Sequence, residues 1–192
     1  MDRRELLKAM AMTVGGSLAL PESVFARMGE PFDQTQLTFF TPEQRQHAAA
    51  LAEAIIPETD TPGAIEAGVP GWIEVIVKDC LQPSDQKVIA EGLVDFAQRC
   101  QKQYGKSIDQ LPAEEQVKFL TELHTSQLQE RKNAIRNGLK PRNSFLQQFK
   151  ELTKFCYVNS ELGATKAFEF VFVPTKWVAS MPLEPGQKAY SM

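Results

Sequence analysis

The chain has 192 residues, 12 of them phenylalanine, and a formal net charge of −3. That length suits one domain burying roughly 70% of its extended-chain surface. The aromatic content excludes a disordered chain, and the charge gives no reason to expect a nucleic-acid partner.

Arg3 and Arg4 head the sequence, Leu6, Leu7 and Lys8 follow, and residues 9–20 carry no charge. About a dozen apolar residues are too few to cross a bilayer of ~30 Å as a helix. A basic head, a short apolar run and a small-residue exit describe a signal peptide. DRRELLK also resembles the twin-arginine export signal, which carries folded proteins. Residues 1–26 are therefore expected to be that signal, with cleavage after Ala26. The alternative is an ordinary amphipathic N-terminal helix. Residues 27–40 read as a loose arm anchored by Phe39 and Phe40.

Thr41 opens a capping box with Gln44, and Pro42 suits the first helical position. Ala48, Leu51, Ala52 and Ile55 then fall at i, i+3, i+4 and i+7, the buried stripe of a helix that Pro57 stops. Thr61 and Pro62 read as the cap and first residue of a short helical turn, ended by Gly68. Pro70 and Gly71 open the next helix, with Ile73, Ile76, Val77 and Cys80 as its apolar stripe. Glu58 and Asp60 between these helices read as solvated loop residues.

Ser84 is the expected cap of a third helix, with Ile89, Leu93, Phe96, Ala97, Cys100 and Tyr104 on its apolar face and Gly105 at its end. Gly92 inside it costs ~1 kcal/mol of helix propensity, which points to close helix packing. Pro112 opens a fourth helix with Val117, Leu120, Leu123 and Leu128 as its apolar face. Residues 131–143 read as a polar loop. Ser144 caps a fifth helix carrying Phe145, Phe149, Leu152 and Cys156. From about residue 168 the chain becomes an extended tail, with one short strand at 170–173. The expected fold is all-α: a single compact domain of about five helices over residues 27–192, with that tail.

His47 and His124 sit on different helices without Cys, Asp or Glu at zinc-ligand spacing. No haem-attachment, dinucleotide or phosphate-loop motif occurs. Glu151 and Glu161 read as solvated charges. No catalytic, cofactor-binding or metal residue is therefore assigned. Of the three cysteines, Cys80 and Cys100 are poor mates, because Cys100 lies roughly 24 Å along the helix after the turn at Pro83. Cys156 with Cys80 or with Cys100 is the candidate disulfide. The simpler reading is three buried cysteines acting as small hydrophobes. In the tail, Val171, Val173 and Trp177 are candidate partner contacts.

AEAIIPETDTPGAIEAGVP (residues 52–70) and ELTKFCYVNSELGATKAFEFVFVPTKW (residues 151–177) resemble two blocks of the gluconate 2-dehydrogenase subunit 3 family. The resemblance implies a non-catalytic small subunit without a cofactor of its own. Its implied partner is an FAD-dependent, GMC-type sugar or sugar-acid dehydrogenase, with a multihaem cytochrome c as a further subunit. It also implies a chaperone-like role: assisting folding, stability and twin-arginine co-export of the flavoprotein. The location would be periplasmic, peripheral to the inner membrane through partners, with no transmembrane helix. The competing readings are a stand-alone exported enzyme and a membrane-tethered structural protein.

Overall fold

A computed structural model describes residues 37–139, 143–171, 182 and 185–191. Residues 1–26, with Arg3, Arg4, Leu6, Leu7 and Lys8, lie outside the described residues, as do Val173 and Trp177. The body that begins at Leu37 is mostly helical. Its five long helices are α1 (Pro42–Ile55), α2 (Val69–Cys80), α3 (Pro83–Tyr104), α4 (Ala113–Arg136) and α5 (Phe145–Val158). A 3-10 turn at Ile108–Gln110 and a π-turn at Gly163–Ala167 punctuate them. The tail contributes a two-residue parallel pairing of β1 (Glu169–Phe170) with β2 (Tyr190–Ser191).

Local signals set most helix ends. At α1 the Thr41 hydroxyl accepts from Gln44 N at 3.2 Å, and the Gln44 carboxamide oxygen accepts from Thr41 N at 2.9 Å. The same carboxamide donates through Nε2 to Ala90 O on α3 at 3.0 Å, so the cap also ties two helices together. Gly68 takes φ +70° between the preceding turn and α2, and Gly105 closes α3. Ser144 caps α5 by accepting from Gln147 N.

Three boundaries differ from expectation. Helix α3 starts at Pro83, ahead of Ser84, because proline fits the first helical position where its missing N–H costs nothing. Thr61 caps no helix: its hydroxyl pairs with that of Thr59, and the single turn after it is closed by Ala67 N to Gly63 O and Gly68 N to Ile65 O. Helix α4 continues through residues 131–136, since no proline or glycine interrupts it before Gly138.

Helices α1 and α5 form the centre, each packing against all the other long helices. Leu51 and Ala52 of α1, Ile73 and Val77 of α2, Ile89 and Leu93 of α3, and Phe149 of α5 are sealed from solvent. Phe119 fixes α4 to α3, its ring 5.7 Å from Phe96 and 5.9 Å from Tyr104. On α4 the buried face is Phe119 and Leu123; Val117 and Leu128, expected there, are exposed.

Gly92 of α3 sits beneath Phe145 of α5, where an added Cβ would lie 2.2 Å from the ring. Close packing is thus the return for its poor helix propensity. Gly92→Ala gains helix propensity yet forces that ring aside, and overpacking of this kind costs ~1–3 kcal/mol. Its thermal midpoint, measured by circular dichroism, is expected to fall below that of the unaltered chain.

Candidate functional site

The most buried charge among the described residues is Glu74 of α2, 1% exposed. Its Oε1 accepts from Phe39 N at 2.8 Å and Phe40 N at 2.9 Å. Its Oε2 accepts from Arg45 Nε at 2.7 Å, and Arg45 Nη2 donates to Leu37 O at 2.6 Å. The hydrogen bond that Arg45 donates to Glu74, together with the Glu74 charge, raises the guanidinium above its ordinary value, against the opposing effect of burial. This is a clamp: one carboxylate closes the backbone at residues 37–40 onto α1 and α2. Sequence reasoning missed it. The signal was present, because Pro70, Ile73, Glu74 and Val77 fall at i, i+3, i+4 and i+7. Choosing only apolar residues slid the stripe by one phase onto Ile76, which is half-buried, and Cys80, which is exposed.

A second polar arrangement shapes residues 57–68. Glu53 of α1 reaches into the loop, its Oε1 accepting from Glu58 N at 3.0 Å and its Oε2 from Ile65 N at 2.8 Å. Across the loop, the Tyr157 hydroxyl of α5 donates to Pro62 O at 2.7 Å. Glu58 and Asp60 themselves point to solvent. The loop is therefore held in one shape by buried or half-buried groups outside it, while its acidic side chains are left free of the fold's own needs.

His47 borders a cavity of about 470 Å³ between α1 and α3, lined also by Phe96, Cys100 and Ile108. His124 lines an apolar groove of about 230 Å³ with Ile55 of α1, Val117 of α4, and Leu146 and Lys150 of α5. Its Nδ1 is buried without a hydrogen-bond partner among the described residues. The two histidines lie in different depressions, and no group of three His, Cys, Asp or Glu among the described residues has the arrangement to hold a metal ion. Glu151 pairs with Lys154 at 2.5 Å on the surface, and Glu161 is exposed. Val171 is half-buried just past β1.

All three cysteines are free thiols, so neither pairing of Cys156 is formed; Cys80, expected to be buried, is exposed at the end of α2. Burial, with a smaller effect of the Asp109 charge, raises the Cys100 thiol, and burial pushes Cys156 up to about 11. Both thiols thus stay protonated in the fold, whereas an unfolded thiol ionises near ~8.5.

The family model described as gluconate 2-dehydrogenase subunit 3 matches residues 42–175. No curated protein and no solved structure matches the chain.

Two measurements probe this region. Glu74→Ala strips Phe39 N, Phe40 N and Arg45 of their acceptor; the Arg45 side chain is 36% exposed and turns to water, but a buried backbone donor left unpaired costs ~1–3 kcal/mol. Denaturant unfolding is expected to show that loss, with Glu74→Gln losing less because its amide oxygen still serves the two backbone donors. Titration with a thiol reagent is expected to modify Cys80 alone in the native chain and all three cysteines after denaturation. Above pH ~8.5 the unfolded state binds fewer protons than the fold, so the stabilising effect of the two buried thiols, complete below that pH, is lost as pH rises, for Cys156 through about 11.

Proposed function

The chain belongs to the gluconate 2-dehydrogenase subunit 3 family, and from that premise we propose that it is the non-catalytic small subunit of an FAD-dependent, GMC-type sugar or sugar-acid dehydrogenase. It stabilises the flavoprotein subunit and carries it through the twin-arginine pathway to the periplasm. FAD resides in the large subunit and haem c in a third, cytochrome subunit. The complex lies peripherally at the inner membrane, and no helix among the described residues of this chain is long and apolar enough to cross one.

The observation that carries the reading is the family match over residues 42–175, which takes in the first sequence block and all but the last two residues of the second. Those blocks meet in space, since Tyr157 of the second bonds to Pro62 of the first. The features that bear the likeness are therefore parts of one built unit. Export rests on the DRRELLK segment, and a partner-binding role suits a chain with several large apolar side chains exposed along its surface. In the tail, Val171, Val173 and Trp177 add contacts to the large subunit, continuing from the exposed Phe170 and Tyr190 at the β1–β2 pairing.

Changing Arg3 and Arg4 together to Lys removes the guanidinium pair that the export pathway reads. Fractionation of cells producing both proteins is then expected to find this chain and the flavoprotein in the cytoplasm. Normal periplasmic levels of both in the double variant would refute the export role. Periplasmic flavoprotein with this chain retained would refute the escort role.

A further inference from the structure

Helix α4 carries a second face that its own fold does not use. At 100° per residue, Val117, His124, Leu128 and Ile135 fall within about 40° of one another along about 27 Å of helix. Leu139 extends the row: Gly138, at φ +74°, donates to Ile135 O, and Leu139 N donates to Ala134 O, both at 3.0 Å. This cap folds the chain back over the last turn, a setting in which the residue after the glycine packs on the helix end. Val117, Leu128, Ile135 and Leu139 are 61%, 40%, 56% and 64% exposed. Exposed apolar residues scattered singly need no explanation. Four in one row do.

Two further observations define what would cover the row. Its edges are basic: Arg131 lies on one side and Lys118, Lys132 and Arg136 on the other, with Lys150 in the groove beside Val117. None of these joins an ion pair among the described residues. Glu114 in the first turn is the nearest carboxylate on that helix; Glu115, Glu122 and Glu130 project elsewhere by the same count. The N-terminal half of the row, moreover, lines the groove that Ile55 of α1 and Leu146 and Lys150 of α5 complete.

We infer that this row and groove are the seat of the dehydrogenase's large subunit, which presents an apolar helix or ridge edged by carboxylates. The inference rests on the proposed function and adds its surface and chemistry. A flat bilayer meets the basic edges equally well but does not enter the groove. A second copy of the chain would bring the same basic edge against itself in a symmetric contact.

The test uses the full chain and the large subunit produced with it, with affinity measured by titration calorimetry. Leu128→Glu combined with Ile135→Glu is expected to weaken binding at least tenfold while the thermal midpoint stays unchanged, since both residues are solvent-facing. Leu139→Glu, at the cap beyond the helix, repeats the test outside the helix itself, with its thermal midpoint measured alongside. Arg131→Glu with Lys132→Glu is expected to weaken binding and to flatten its dependence on salt. If the unaltered chain binds and the variants bind equally well, the seat is elsewhere and the proposed function stands. If the unaltered chain does not bind the large subunit, both fall. If the variants keep the complex but lose co-sedimentation with phosphatidylglycerol vesicles, the row serves a membrane. If they keep the complex but dissolve a dimer seen by light scattering, it serves a second copy. Either result overturns the inference.

Discussion

A carboxylate sealed inside a small helical body has to be satisfied by partners, and Glu74 is satisfied by two other parts of the chain. Two backbone donors come from Phe39 and Phe40, a guanidinium comes from α1, and the carboxylate itself stands on α2. Leaving any of them out would strand a buried charge, so the arrangement forms together or not at all. An apolar residue in its place would supply similar packing, but it would accept no bond from the two backbone N–H groups. The ion pair is weak support for stability in itself. What it adds is position: it fixes the backbone at residues 37–40 against α1 and α2. Phe40 is then held in the core and Phe39 against it, their rings 5.3 Å apart.

The same device recurs at the loop between α1 and α2. A loop with Pro57, Pro62 and Pro70 about it satisfies only part of its own backbone, through turn bonds such as Ala67 N to Gly63 O. Glu53 supplies two acceptors for loop N–H groups, and Tyr157 supplies a donor for a loop carbonyl. Each comes from one of the two central helices. The loop therefore takes its shape from the core, while Glu58, Asp60 and Ile65 on its outside are spared structural duty. The first sequence block contains the loop and the second contains the tyrosine that ties it down, so both contribute to one local shape.

Apolar spacing and punctuation made the helical class, the number of long helices and most caps legible, because those depend on neighbours within one or two turns. Thr41, Gly105 and Ser144 act as their types suggest. What was illegible depended on distant partners. Glu74 is polar by type and buried by circumstance, and only the arrival of Arg45 and the two phenylalanine N–H groups makes that burial tolerable. The burial of cysteines turned on place along the helix: Cys80 is the last residue of α2 and faces solvent, whereas Cys100 and Cys156 stay within. On α4, Val117 and Leu128 look like core residues because they are apolar and share a phase with Ile135. The core instead takes Phe119, which fills the space between Phe96 and Tyr104 as a smaller side chain could not. A helix that offers two apolar faces buries the one that meets an aromatic partner and leaves the other on the surface. The sequence contains both faces in equal clarity. Only the packing of α3 and α5 decides between them, and that choice leaves an apolar row for something outside the chain.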